Sequence, residues 1–391
     1  MKLERSNRLQ KLPPYLFADL RRKMAAVRER GVDVITLGIG DPDQPTPDAV
    51  VDELIRTVTD TSDPNRHRYG CDVPAAELPE AVARFYERRF GVALEADQIV
   101  VSMGSKDAIA KLPMAFLNPC DLVVSPEPGY PTYNIGTTFA GAVTHYLPLR
   151  AANGYLPDFA ELPRNVRQAA RLLWVNYPNN PTAAVCELGF YEQAVEFCRA
   201  HEILLCSDLA YSENTYDGFV APSALAVSGA DDCVVEFFSL SKAFNMTGWR
   251  VGFAVGNRDA VAGLRTVQEN VDNGQLRPIQ FAAVAALDRA EELIPPLNAI
   301  YKRRRDMVIG TLNGLGWSLT PTRGTLYIWA PVPDGFGGDS IRFAGHLLET
   351  AGVAVTPGIG YGEHGEGFFR LSLTYPDEII AQAMERLAGA L

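Results

Sequence analysis

Apolar and polar positions along this chain fall into blocks, not into one continuous rhythm. Short apolar runs recur at Val34-Ile35-Thr36-Leu37, Gln98 to Ser102, Asp121 to Ser125, Arg171 to Asn176, Ile203 to Cys206, Val234 to Phe238 and Val251 to Val255. Runs of this length, bounded by turn-forming residues, predict strands buried on both faces. Between them lie helical patterns: Thr46 to Val58, Ala75 to Phe90, a stretch from Ser105 ending near Leu117, and Leu188 to His201. Strand and helix alternate, so the expected fold is α/β, with a mainly parallel sheet and helices on both faces. In such sheets ligands sit beyond the carboxyl ends of the strands.

The two ends of the chain read differently. A polar arm carrying Pro13-Pro14-Tyr15-Leu16-Phe17 leads into a charged amphipathic helix from about Leu20 to Arg30. After the last apolar run comes a helix-rich stretch, Pro278 to Ala290 and Pro296 to Leu315. From about Trp317 the tail mixes short strands and helices: Thr325 to Trp329, Ile341 to Thr350 and Phe368 to Leu373. That tail predicts a second, α+β unit.

Length agrees with two units, since 391 residues exceed what one small core organises. The formal net charge of -11 argues against general affinity for nucleic acid or anionic membrane. No apolar run is long enough to span a bilayer, and Met1 to Arg8 lacks a signal-peptide core, so a cytoplasmic protein is expected. The six cysteines form no C-x-x-C pair and read as reduced, mostly buried thiols. No spacing suggests a metal site.

The loops at the strand ends carry the chemistry. Val234 to Phe238 runs into Ser239-Leu240-Ser241-Lys242, with Arg250 shortly after. Hydroxyls and a guanidinium suit a phosphate, and an amine placed after an apolar strand can be kept nucleophilic by burial. Lys242 is the only one of seven lysines so placed. Asp208 closes the strand Ile203 to Cys206, with Tyr211 after it; a carboxylate there can hold a ring nitrogen protonated, or simply cap the next helix. Asn180 sits in the turn Asn176-Tyr177-Pro178-Asn179-Asn180-Pro181-Thr182, and Tyr130 lies between Gly129 and Pro131. Gly38-Ile39-Gly40-Asp41-Pro42-Asp43 is a loop that lets a ligand approach the backbone. Met103-Gly104-Ser105-Lys106 opens a helix and forms a phosphate cradle. Arg370 alternates into the strand Phe368 to Leu373, where it either faces solvent or grips a carboxylate. Gly360-Tyr361-Gly362-Glu363-His364-Gly365 matches G-x-G-x-x-G, but a strand follows it, so it reads as a loop and not a dinucleotide site.

In this order and combination, over nearly the whole chain, these motifs resemble the fold-type-I pyridoxal-phosphate aminotransferases. The resemblance implies an aspartate-aminotransferase-like fold. Its large domain, residues 46–285, would hold a mostly parallel seven-stranded sheet; a smaller domain would come from residues 1–45 and 286–391. It implies pyridoxal 5'-phosphate as cofactor and a homodimer. Lys242 would condense with the cofactor aldehyde and act as base. Asp208 would sit on the pyridine nitrogen, with Tyr211 and Asn180 on the phenolic oxygen and Tyr130 on the ring. Ser105, Lys106, Ser239, Ser241 and Arg250 would hold the phosphate, with Tyr69 reaching in from the other subunit. Arg370 would take the substrate carboxylate beside Gly40, and Tyr15, Asn180, Lys106 and Asp72 would complete the substrate side.

Five stretches, among them Asn245 to Arg250 and Gly365 to Arg370, are most similar to the LL-diaminopimelate aminotransferase branch. Departures cluster after Tyr69: Asp72 stands for an aromatic residue, Pro74 for a glycine and Pro79 for an arginine. Ala183 replaces a glycine, Ala243 a threonine, and Arg323-Gly324 a Lys-Ala. The expected reaction moves an amino group to 2-oxoglutarate from LL-diaminopimelate, or from an alanine-, aspartate- or methionine-like donor. A β-lyase or decarboxylase on the same scaffold, or a sensor domain, remains the competing expectation.

Overall fold

The computed structural model describes residues 1, 3–12, 16–72 and 74–391. Strand β1 spans Ile35–Thr36. Strands β2 (Ile99–Ser102), β3 (Leu122–Glu127), β4 (Val143–Pro148), β5 (Ala170–Asn176), β6 (Leu204–Asp208), β7 (Val234–Ser239) and β8 (Gly252–Gly256) make one seven-stranded sheet, ordered β2-β8-β7-β6-β5-β3-β4. From β7 through β4 all neighbours are parallel; β8 runs antiparallel to both β7 and β2. The apolar runs explain this arrangement. Every residue of β7 is buried, and Arg171 is the only exposed residue of β5. Strands of that kind need cover on both faces.

Helices supply the cover. On one face Trp174, Phe237 and Leu172 pack against Ile109 and Leu112 of the helix Ser105–Phe116 and Leu264 of the helix Arg258–Val271. On the other, Leu173, Val175 and Leu205 pack against Tyr191, Ala194 and Cys198 of the helix Leu188–His201. The edge near β2 and β8 is closed by Phe85 and Tyr86 of the helix Glu77–Phe90.

A second unit is built from both chain ends. Strands β9 (Tyr327–Pro331), β11 (Thr356–Pro357) and β12 (Phe368–Ser372) form an antiparallel sheet in the order β11-β12-β9. Next to it β1 pairs in parallel with β10 (Val353–Ala354). The helices Ala290–Gly314 and Asp377–Gly389 pack on this sheet through Val308, Ile309, Leu312, Ile380 and Leu387.

The expected strands are all present, with boundaries shifted by a few residues. Several elements went unread, among them β4, the helix Thr132–Ala140, the helix Arg164–Ala169, the helix Arg258–Val271, the short strands β10 and β11 and the C-terminal helix. The long helix begins at Ala290, ahead of Pro295 and Pro296, rather than at Pro296. Ala290 and Ile294 lie in the apolar core there, so packing holds the first turns in place despite the prolines. The G-x-G-x-x-G run forms two tight turns, Gly358–Tyr361 and Glu363–Gly365, before β12. Among the described residues no helix is long and apolar enough to cross a membrane, and no cluster of potential metal ligands occurs. All six cysteines are free; Cys71 and Cys120 are exposed and the other four buried.

Candidate active site

The carboxyl ends of β3, β5, β6 and β7 open into a cavity of about 460 Å³. Its walls include Gly40, Ser105, Lys106, Tyr130, Asn180, Asp208, Tyr211, Ser239, Ser241, Lys242, Arg250 and Arg370. One hollow therefore gathers twelve of the residues singled out in the sequence.

Lys242 rides on the short helix Leu240–Ala243 that follows β7 directly. Ser239 caps this helix, its hydroxyl accepting from the Ser241 amide at 3.3 Å. Protein surrounds the Lys242 side chain, although part of its surface still faces the cavity. Its Nζ donates to the Gly40 carbonyl at 2.7 Å. Burial lowers its pKa from the ordinary lysine value, with the Arg370 and Arg250 charges acting the same way. A lysine so placed gives up its proton more readily and becomes nucleophilic.

Asp208 ends β6 and is buried. Its carboxylate accepts from the Tyr133 hydroxyl at 2.8 Å and the Ala210 amide at 3.1 Å. Burial pushes its pKa up to about 6, against the pull of those two donors. An anion held at such a cost gains most from a cationic ligand. Asn176, at the end of the neighbouring β5, donates to the Asp208 carbonyl at 2.7 Å and locks the two strand ends together.

The other end of the cavity is an anion cradle. Gly104 precedes the helix Ser105–Phe116, whose first two residues, Ser105 and Lys106, line the cavity and bring its unpaired N-terminal amides to it. Arg250, in a left-handed backbone conformation at φ 55°, donates to the Thr247 and Met103 carbonyls at 2.9 and 3.1 Å. Gly104 has φ +86°, and a Cβ there would stand 2.7 Å from Arg250 Nη2. With Ser239 and Ser241 nearby, hydroxyls, helix amides and a guanidinium converge as a phosphate requires.

Arg370 points in from β12 and is 2% exposed. Its Nη1 donates to Asn180 Oδ1 and its Nη2 to the Gly38 carbonyl, both at 2.8 Å. Its Nε is buried without a partner. The guanidinium lies over Tyr327, 3.9 Å from the ring centre, and 5.0 Å from that of Tyr361. A pre-formed guanidinium with a spare donor has the chemistry to grip a carboxylate.

Tyr69 and Asp72 lie outside this cavity, and Tyr69 is exposed. Tyr15 falls outside the described residues. Three tyrosines were not anticipated. Tyr133 serves Asp208. Tyr327 lines the cavity, shares a 2.9 Å hydrogen bond with the Tyr211 hydroxyl and occupies the space a side chain at Gly40 would need. Tyr361 lines the cavity beside Arg370. A signal for Tyr327 existed: β9 and β12 pair Tyr327 with Ser372 and Trp329 with Arg370, so alternation puts Tyr327 on the face of Arg370.

Comparison with known proteins agrees with this geometry. A family model described as "Aminotransferase class I and II" matches residues 32–387. The LL-diaminopimelate aminotransferase of Moorella thermoacetica is 45% identical over 390 residues, covering 100% of this chain and 99% of that protein. The enzyme of the same name from Gloeobacter violaceus is 47% identical, covering 98% and 97%. Among solved structures, substrate-bound BacF from Bacillus subtilis superposes with a TM-score of 0.93 at 35% identity, covering 100% of this chain and 98% of BacF. A probable N-succinyldiaminopimelate aminotransferase from Thermus thermophilus gives 0.90 at 36% identity, covering 96% and 100%.

Proposed function

The chain belongs to the class I and II aminotransferases, and on that premise we propose that it is a pyridoxal-phosphate enzyme moving an amino group from LL-diaminopimelate to 2-oxoglutarate, as a cytoplasmic homodimer. It is a transaminase by family; cofactor, donor and assembly are our reading. One observation carries that reading: Lys242, the buried Asp208, the anion cradle and Arg370 line a single cavity.

The residues present fit this cofactor. Ser105, Lys106, Ser239, Ser241 and Arg250 would hold its phosphate, with Tyr69 of one subunit serving the other's site. Asp208, at a pKa of about 6, would meet the pyridine nitrogen and be relieved of its unpaired burial. Asn180 and Tyr211 would face the phenolic oxygen and Tyr130 the ring. When bound, pyridoxal phosphate supplies an electron sink for a carbanion at the substrate's α-carbon. Lys242 would take a proton from that carbon and return one, and burial, by lowering its pKa, would favour the free amine this needs. Arg370 anchors the α-carboxylate, and Gly40, Lys106 and Tyr15 border the substrate. The division into residues 46–285 and the two chain ends follows the same reading, with the cavity at their seam.

Support for diaminopimelate as donor comes from full-length relatives of that name at 44–47% identity. A second donor class keeps a place because the segment after Tyr69 departs from the pattern at Asp72, Pro74 and Pro79. Borohydride trapping followed by peptide mapping is expected to label Lys242, and label on another lysine would end the scheme. A panel of amino donors, followed at the cofactor's absorbance in single turnovers, identifies the donor. Product formed without 2-oxoglutarate would point instead to a lyase.

A further inference from the structure

The G-x-G-x-x-G run finds its use at the seam between the two sheets. Glu127 ends β3 on the large sheet and is only 6% exposed. Its carboxylate accepts from His364 Nδ1 at 2.5 Å and from the His364 amide at 3.3 Å. The Gly129 amide donates across the same seam to the Tyr361 carbonyl at 3.1 Å. The glycines make this docking possible. Gly362 has φ +115° and lies flat beneath the Glu127 carboxylate, where any side chain would collide with it. A Cβ at Gly365 would stand 2.9 Å from the Gly358 carbonyl carbon and 3.4 Å from Pro128 Cβ. The loop is therefore folded tightly around a buried carboxylate that belongs to the other sheet.

Both strands of this contact carry cavity residues. Tyr130 follows the Glu127-Pro128-Gly129 turn, and Tyr361 sits within the loop. Tyr361 is 5% exposed and its hydroxyl, beside Thr356, has no partner at hydrogen-bonding geometry. Its ring packs against the Arg370 guanidinium, whose Nε is likewise unpartnered. Two buried donors on residues that line the same cavity call for an acceptor from the ligand. We propose that His364 and Glu127 form a clasp that closes the small sheet onto the large one and sets Tyr361 beside Arg370, so that both receive the substrate's carboxylate. Tyr361 then contacts substrate, and His364 and Glu127 are positioning residues. The inference rests on the aminotransferase reading for its substrate, while the clasp itself does not.

The test uses full-length holoenzyme carrying His364→Ala or His364→Gln. The histidine side chain is 42% exposed, so neither change empties a core. In His364→Ala, amide hydrogen exchange over 361–365 is expected to quicken by about tenfold or more, the loss of one charge-assisted hydrogen bond. The donor's apparent Kd in single turnovers rises by a similar factor of roughly five to ten, while the limiting rate and cofactor affinity stay within about twofold. His364→Gln, whose amide can donate to Glu127, recovers most of the donor affinity. Unchanged exchange over 361–365 in His364→Ala overturns the clasp. Equal losses of donor affinity, limiting rate and cofactor affinity overturn the positioning role. A wild-type protein that answers to no amino donor sinks the aminotransferase reading instead, and the exchange result then decides the clasp alone.

Discussion

At the residue scale the site depends on one tyrosine, Tyr133, that holds Asp208 in place. Tyr133 stacks on Trp174, with ring centres 4.8 Å apart at 12°, so its hydroxyl has little freedom when it donates to Asp208. Removing that hydroxyl leaves the carboxylate with the Ala210 amide as its remaining donor among the described residues. Because the Tyr133 bond lowers the Asp208 pKa, its loss moves that pKa above about 6. Tyr133→Phe is therefore expected to cut kcat/KM by about 10-fold to 100-fold, the worth of a hydrogen bond to a charged group. The acid limb of its pH–rate profile should also move to higher pH. A variant with wild-type kcat/KM and an unmoved profile would show that Asp208 does not rely on this bond. Lys242, Asp208, Asn180 and Arg370 were legible in the sequence because each follows or interrupts an apolar run with a charged or amide group. Tyr133 was not, since the helix that carries it went unread itself. Its partner lies 75 positions away, and only folding brings the two together.

At the scale of the element, β7 does more than deliver Lys242. Glu236 in its middle is fully buried and accepts from the Ser223 hydroxyl at 2.6 Å, the Ala224 amide at 2.8 Å and the Tyr86 hydroxyl at 3.4 Å. Burial outweighs these donors and raises its pKa from 4.5 to about 7. A carboxyl whose folded-state pKa lies above its unfolded value takes up a proton on folding. Its penalty is absent below about pH 4.5, grows through the interval and is complete above about pH 7. This one group thus makes the fold less stable by roughly 3 kcal/mol as pH rises across that window. Glu236→Gln keeps the shape, and its amide can donate to the two hydroxyls. Urea denaturation should then show a flatter dependence of stability on pH between about 4.5 and 7 than in wild type. Identical slopes would mean that Glu236 does not titrate in this window. The all-buried strands were easy to read because every position in them is apolar or nearly so. The edge strand β4 was missed for the opposite reason: Val143 and Tyr146 are exposed and the run carries Thr144 and His145. The helix Thr132–Ala140 hides behind Gly136 and three threonines, weak helix formers that packing overrides.

At the scale of the whole molecule, the ends of the chain must meet before the cavity is complete. Gly38 and Gly40 lend their carbonyls to Arg370 and Lys242, yet they belong to a loop far from both in sequence. Arg304, 2% exposed in the long helix, holds that loop. It donates to both carboxylate oxygens of Asp43 at 2.6 and 2.9 Å, to Asp377 at 2.8 Å and to the Leu373 carbonyl at 3.0 Å. One guanidinium thus ties together the N-terminal loop, the long helix and the start of the C-terminal helix. The charged run Lys302-Arg303-Arg304-Arg305 gave no hint of this, because neighbouring arginines look alike until the fold buries some and leaves others wet. Arg303, 58% exposed, pairs with the same Asp377 from the solvent side. Replacing Arg304 by Met keeps the aliphatic packing but leaves Asp43 and Asp377 without their buried cation. Both carboxylates keep some contact with water, so the expected loss is about 2–3 kcal/mol, below the full range for a broken buried pair. Because the loop also supplies the two carbonyls, Arg304→Met should weaken donor binding along with stability. Asp43→Asn should do so less, since Asp377 still holds the guanidinium. Denaturation midpoints and donor titrations on the same preparations test this together. A variant that loses stability yet binds the donor as wild type does would separate the scaffold from the site and refute the coupling.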